Sequence, residues 1–496
     1  MIDLFSWFSV YPEIVLLAMI CVVTLVDVLD ASEQRWPAYA LSLLTLAALA
    51  ILTGAYALSG EVVYGFFNSV RSDPLANWLK CFAALSMLVT FAYAKEYVGQ
   101  RGMLRGGAEW YVLGLLSLLG CFVLISADNF LLIYLGLECL TLASCALLAL
   151  RREHAPALVA AMKHFVLGAL ASGVLLYGLS MLYGAAGTLS ISEVLAIVAG
   201  GGVKPAVLVF ALVFVVVGLA LKLGVAPFPL WAPDVYQGAP TAAALLIGTA
   251  PKLAVFAMAV RLLVQGLLPL AQDWQPMLAL LAVVALLLGN LAAIRQANLK
   301  RMLAYATMSH MGFVLLGLMS GVVGPDVQMA VGAYSAAMFT ILSYVLATLA
   351  AFGVMLVLAR KGFESEEIAD FAGLHRRQPQ CAAVMALAML SLAGVPPLVG
   401  FQGRLLVVQA LLAAGRPFYQ GLAMFAVVMS VVGAFYYLRV IKVMYVDAPA
   451  EDAPIAAPPD MRALLALNGA LLLFFGILPG RLLALCGDAV LRMLQN

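Results

Sequence analysis

The chain has 496 residues, of which 65% are hydrophobic and only 10% charged, and a formal net charge of +2. Soluble domains carry about 25% charged residues, and no water-soluble fold hides this much apolar surface, so an integral membrane protein is expected. The near-neutral balance, without a basic tract, excludes nucleic acid as a partner.

A membrane helix needs about 20 apolar residues at 1.5 Å rise, and fourteen runs meet that need. Span 1, at 11–30, follows a segment with Asp3 and no basic leader or small-residue cleavage site, so it reads as a retained span and not a signal peptide. Spans 2 to 6 fall at 38–58, 74–94, 110–126, 129–149 and 157–183; Glu138 lies within span 5, and Lys163 and His164 near the start of span 6. Span 7, at 205–236, carries Lys222 just before "GVAPFP" (224–229). Spans 8 to 11 fall at 240–264, 276–294, 302–320 and 328–358, with Lys252 in span 8 and His310 in span 10. Span 12, at 381–414, contains "GVPPLVG" (394–400) and then Arg404; spans 13 and 14 follow at 418–446 and 462–484, on either side of the acidic Pro/Ala stretch 447–460.

Spans 7 and 12 would measure about 48 and 51 Å as unbroken helices, against a core of about 30 Å. Their prolines remove backbone donors, and freed groups at membrane depth need protein or water to satisfy them. Matched breaks in two halves point to an inverted-repeat transporter architecture. The expected fold is all-α and polytopic, with two inverted five-helix repeats and broken helices 7 and 12. Its segments are a three-span N-terminal part (1–109), a first half (110–264, spans 4–8), a second half (265–446, spans 9–13), and a tail with the acidic loop and span 14 (447–496).

Basic residues fall mainly in the loops after odd-numbered spans, among them Lys95, Arg101, Arg151, Arg152, Lys300, Arg301, Arg360, Lys361, Arg376 and Arg377. Loops after even-numbered spans hold only Arg71, Lys204 and Arg416. The positive-inside rule then puts the odd loops in the cytoplasm and both termini outside.

Charged groups at membrane depth cost at least about 2.5–3.5 kcal/mol each and are candidates for function. Glu138, Lys222, Lys252, His310 and Arg404 form an expected polar file near the midplane, with Lys163 toward its cytoplasmic end. Burial makes a lysine easier to deprotonate and a nearby carboxylate reverses that effect, which suits a proton switch. Plainer readings stand beside this one: a static Glu138–Lys222 pair, Arg404 bound to carbonyls freed by the break, Asp234 as a cap, and Tyr436 as a packing residue. The seven cysteines include no CxxC spacing, so neither a disulfide framework nor a metal site is expected.

Five strings carry a family resemblance: "IYLGLECLTLASCALLALRRE" (133–153), "AMKHFVLGALASGVLLYGLSMLYGAAGTL" (161–189), "LKLGVAPFPLWAPDVYQGAPT" (221–241), "NLAAIRQANLKRMLAYATMSHMGFVLLGL" (290–318) and "LSLAGVPPLVGFQGRLLVVQALL" (390–412). They resemble the antiporter-like membrane subunits of respiratory complex I over about residues 110–446, and the second string is similar to one branch of that family in particular. The resemblance implies a proton-translocating subunit of an NADH–quinone oxidoreductase in a bacterial inner membrane, with periplasmic termini. It implies no bound cofactor; NADH, FMN, iron–sulfur clusters and quinone would belong to partner subunits. Those partners would be other antiporter-like and small membrane subunits and, through them, the peripheral redox arm. It also implies that the glutamate matching Glu138 pairs with the lysine matching Lys222. The path would continue through Lys252 and His310 and end at Arg404, with Lys163 as a further matching lysine. Two positions depart from the pattern: Pro229 stands where histidine is usual, and Arg404 where lysine is common. Since arginine does not deprotonate in proteins, Arg404 is expected to act as a fixed positive gate. A cation/proton antiporter subunit, a membrane-bound hydrogenase subunit and a structural membrane spacer are the alternatives.

Overall fold

The computed structural model describes residues 4–30, 32, 35–228, 231–322, 327–359, 363–449 and 458–495. Pro229, Arg360, Lys361 and most of the acidic 447–460 stretch lie outside the described residues. Among those described, thirteen helices are long and apolar enough to cross a membrane. Span 12 is not one of them, because its break leaves two shorter apolar helices, Pro379–Ala393 and Val399–Ala413. The two together occupy the expected fourteenth place.

The breaks in spans 7 and 12 have the same local chemistry. Span 7 consists of Pro205–Leu223 and the short helix Ala232–Gly238. Its first half ends at Gly224, whose φ of +82° is a left-handed cap that glycine adopts without penalty. The first half of span 12 ends likewise at Gly394, with φ of +79°. The amides of Val225 and Val395 reach back to Ala220 O and Leu390 O at 2.9 and 3.0 Å, and an X-Pro cis peptide follows in each (Ala226–Pro227, Pro396–Pro397).

A further break was not expected. Span 8 (Thr241–Gly266) divides at Thr249 into Thr241–Gly248 and Ala250–Ala259, then turns as a π-helix over Val260–Gly266. Pro251 explains the division, since it has no N–H to continue the ladder.

The loops sort into two ends by parity. After even spans, Val70 bridges Ala127, Asn129 bridges Ser190, and Arg71 donates to Met493 O at 3.4 Å. After odd spans, Arg101 and Arg151 share Glu364 at 2.9 and 2.6 Å, and Asn298 bridges Glu367. The even end also holds a small antiparallel hairpin, Val63–Gly65 with Val70–Ser72, a local exception to the all-α expectation.

The tail also differs from expectation. Span 14 stops at Ile477, just before Pro479, and a separate helix runs Gly480–Gln495. Leu482, Cys486, Ala489, Val490 and Met493 form its buried stripe. This helical period with polar residues opposite describes a surface helix lying on the bundle, and it was misread as the end of a span.

Candidate functional site

The two cations that follow breaks close them. Leu223 is the last residue of its half-helix, so its carbonyl has no helical donor; Lys252, on span 8, donates to it at 2.7 Å. Arg404 does the same one half later. Its guanidinium donates to Ala393 O at 2.7 Å and also to Leu392 O and Ser430 Oγ, and it lies 5.2 Å over the Phe313 ring. Positive groups at helix C-termini satisfy orphan carbonyls and complement the helix dipole. The close approach needs glycine: a Cβ on Gly224 would stand 3.0 Å from Lys252 Nζ, and one on Gly394 would stand 2.9 Å from Arg404 Cδ.

Lys222 and Lys252 face one cavity of about 90 Å³, together with Thr141, His164, Trp231 and Tyr236. That is room for a few water molecules. Lys222 Nζ donates to Thr141 Oγ1 at 3.1 Å and to Gly168 O at 3.0 Å. Among the described residues, the buried His164 Nδ1 and Trp231 Nε1 have no hydrogen-bond partner.

Beyond Tyr236 a row of hydroxyls and one imidazole leads toward the second break. Tyr236 adjoins the Thr307–Tyr344 pair, which is joined at 2.8 Å, but its own hydroxyl makes no well-formed bond. The Tyr344 ring lies 5.4 Å from that of His310, whose Nε2 is 3.1 Å from Tyr437 Oη. Tyr436 packs on Tyr437 at 4.3 Å and donates to Asn290 at 3.1 Å.

The predicted file is therefore only partly assembled by direct contact. Lys222 and Lys252 share the cavity, and His310 leads toward Arg404 through tyrosines. Glu138 is not in direct contact with Lys222: no ion pair within 4 Å joins them among the described residues. Its Oε1 has no hydrogen-bond partner, and Thr141, one turn along the same helix, takes the ammonium instead. Lys163 is also outside the cavity. It pairs with Asp234 at 2.6 Å near the end that gathers the odd loops, while its neighbour His164 points inward. Asp234 is not a cap: it lies in the first turn of Ala232–Gly238, whose N-cap is Trp231, and it also binds Arg301 at 2.7 Å.

Thr141, Tyr236, Tyr344 and Tyr437 were not singled out from sequence. Neutral hydroxyls in apolar runs carry no charge signal, and their partners lie on distant spans. Two buried ionic groups were also missed, although Lys80 and Arg261 carry a charge within predicted spans; what the sequence hid was their partners. Lys80, fully buried, pairs with Glu13 at 2.6 Å, and Asp73 binds both Arg261 (2.7 Å) and Arg71 (3.0 Å).

Ionisable side chains that cap helices broken inside a membrane define an ion-translocating membrane protein of the antiporter-like class. Residues 127–432 match the family described as NADH:quinone oxidoreductase/Mrp antiporter, transmembrane region. The chain is 59% identical to NADH-quinone oxidoreductase subunit N of Polaromonas naphthalenivorans (strain CJ2), over 99% of this chain and 98% of that one. It is 51% identical to the subunit N of Herminiimonas arsenicoxydans, over 98% of each. Among solved structures, a chain of respiratory complex I from Thermus thermophilus with bound aureothin matches with a TM-score of 0.79 and 33% identity, over 96% of this chain and 99% of that one. A chain of the Mrp complex from Dietzia sp. DQ12-45-1b shares the fold, with a TM-score of 0.83 at 20% identity over 99% and 98% of the two chains. The chain belongs to the NADH-quinone oxidoreductase subunit N family. It is a multi-pass membrane subunit of an oxidoreductase complex, and the branch singled out by the span 6 string is the right one.

Proposed function

We propose that this subunit carries protons across a bacterial inner membrane, driven by electron transfer from NADH to quinone on partner subunits. In this reading FMN, the iron–sulfur clusters and the quinone site belong to those partners, and the chain itself holds no redox centre. The observation that carries the proposal is the shared cavity of Lys222 and Lys252 at the span 7 break. Two amines facing one small, mostly apolar-walled space exchange a proton through water without a large movement. Glu138, one turn from the Thr141 that holds Lys222, supplies the charge that loads or unloads it. The proton then passes along Tyr236, Tyr344 and His310 to Tyr437, while Arg404 stays charged and repels it onward. The odd loops are cytoplasmic, both termini are periplasmic, and the two halves are inverted repeats.

Glu138 also supports the assignment of partners. It is half-buried, on a helix face with exposed Leu131, Leu135 and Leu142. A carboxylate facing lipid at that depth is costly, so a neighbouring membrane subunit covers this stripe.

The test is NADH-driven proton uptake into inverted membrane vesicles carrying Lys222→Ala, with assembly of the complex checked on the same membranes. Loss of both uptake and NADH oxidation in an assembled complex is expected. Unchanged uptake would refute the path.

A further inference from the structure

Four helix ends meet around a polar hollow at the odd-loop end of the molecule. Span 3 ends at Gln100, span 4 begins at Glu109, span 5 ends at Ala149, and His154 stands just before the first residue of span 6. The ends of membrane helices mark the level at which hydrocarbon gives way to headgroups. The hollow between them is open, with a volume of about 540 Å³, and shares no lining residue with the lysine cavity.

Four arginines face three glutamates across it, and these charges are unequally satisfied. On the inner wall, Arg101 and Arg151 share the single carboxylate of Glu364, at 2.9 and 2.6 Å. Arg101 is also tied to Phe363 O at 2.8 Å, and its side chain is only 5% exposed. Two cations on one anion leave a positive wall that is held in place. At the rim the pairs are loose. Arg105 stands 3.6 Å from Glu153, and Arg152 stands 3.8 Å from Glu109, both beyond hydrogen-bond length. These two arginine side chains are 76% and 77% exposed, and solvated pairs of this kind hold their partners weakly. Both guanidinium forks can therefore turn to a better acceptor. A phosphate group is that acceptor, because its oxygens take two parallel N–H bonds from each fork.

The surface beside the hollow favours a lipid over a soluble anion. One to two turns into span 6 from His154, Leu158, Val159 and Met162 are 39%, 54% and 68% exposed. They offer apolar surface to acyl chains on the membrane side of the same helix end. Basic pockets between membrane helices hold lipid headgroups by this combination.

We propose that this hollow binds the phosphate group of an anionic membrane lipid, with Arg105 and Arg152 as the forks that take it and Arg101 and Arg151 as the fixed positive wall behind them. The site stands apart from the proton path and does not depend on it.

Protection of a reporter thiol tests the site without any measurement of pumping. Glu153→Cys puts a cysteine beside Arg105; the native side chain is 89% exposed, and the change removes a competing carboxylate but no arginine. The assembled complex is solubilised in a nonionic detergent, stripped of loosely held lipid and treated with a neutral polyethylene-glycol maleimide. The labelling rate is read from the mass-shifted band of this subunit, with the chain lacking the reporter as background. Phosphatidylglycerol added to the micelles should slow labelling about threefold or more, and phosphatidylcholine should not. Arg105→Gln together with Arg152→Gln, both at largely exposed positions, should abolish the slowing, and the corresponding lysine pair should keep part of it. Slowing by inorganic phosphate alone, equal to that by phosphatidylglycerol, would overturn the lipid assignment and keep the arginine site for a soluble phosphate. Equal slowing by phosphatidylcholine, slowing that survives both glutamine substitutions, or labelling unaltered by every addition overturns the site.

Discussion

Lys252 Nζ lies 2.7 Å from the carbonyl of Leu223, the last residue of a helix that stops inside the membrane. One side chain thus closes a backbone defect and faces the cavity that the defect creates. Structural and proton-carrying roles in such a residue are separated by exchanging the ammonium for a cation that does not deprotonate. Lys252→Arg keeps a donor for Leu223 but does not release a proton. It should assemble and fail to pump, measured as proton uptake per NADH oxidised. Lys252→Met strands the buried carbonyl at about 1–3 kcal/mol and should also lower the melting temperature of the solubilised complex. Native pumping by Lys252→Arg would exclude proton transfer at this position.

Arg404 binds two consecutive carbonyls and Ser430 with a planar fork. A lysine has the charge but a single, flexibly held nitrogen in place of the planar fork that meets both carbonyls and Ser430. Arg404→Lys should pump with less than about a tenfold loss and melt earlier, since its acceptors are less fully paired. Arg404→Met should lose both pumping and stability. If Arg404→Lys were as stable as the native chain, the capping account of this residue would fail.

The two left-handed glycines should differ in their tolerance of alanine. Both would incur about 1–2 kcal/mol for positive φ. At Gly224 the added Cβ meets only the flexible end of Lys252, at 3.0 Å. At Gly394 it meets Arg404 Cδ at 2.9 Å, with two further guanidinium atoms close behind. Gly394→Ala should therefore be the more destabilising, read as the fraction of complex assembled and its melting temperature.

Tyr437→Phe removes a single oxygen, the one 3.1 Å from His310 Nε2. The ring and its packing on Tyr436 remain, so assembly should be unaffected. Proton uptake should fall about tenfold or more if this hydroxyl takes part in transfer. Unaltered uptake would take Tyr437 off the path.

Glu364 ties the odd loops together outside the membrane. Burial pushes its carboxyl up, but Arg101, a Tyr97 hydroxyl at 2.9 Å and Arg151 outweigh burial and hold it below the ordinary carboxylate value. A lowered folded value means that its contribution is complete above the unfolded value and is lost as pH falls through the folded one. Proteolysis after Arg101 should therefore be unchanged between pH 7 and 6 in the native chain. Glu364→Gln should show faster cleavage there at both values.

Much of the site was legible where charge broke an apolar run. Lys222, Lys252, His310 and Arg404 stand out because a charge in hydrocarbon has few innocent explanations, and the glycine–proline strings beside Lys222 and Arg404 mark the breaks. The Thr249 break was less legible, since a single proline in an apolar helix often only kinks it. The sequence put Lys163 and not His164 on the path, and only the rotation of span 6 shows that His164 lines the cavity while Lys163 pairs with Asp234. The Glu138–Lys222 contact was expected, yet Thr141 holds the ammonium while Glu138 lies on the face with exposed Leu131, Leu135 and Leu142.

The sequence by itself determined that this is a membrane protein, how its loops sort into two ends, and where spans 7 and 12 break. These follow from transfer free energy and backbone chemistry, which act locally along the chain. Only the tertiary structure decided what satisfies each break and which polar groups meet. Lys252 reaches Leu223 across 29 positions, His310 reaches Tyr437 across 127, and Asp234 reaches Lys163 across 71. The packing of helices chooses such partners, and an apolar run contains nothing that encodes its neighbours.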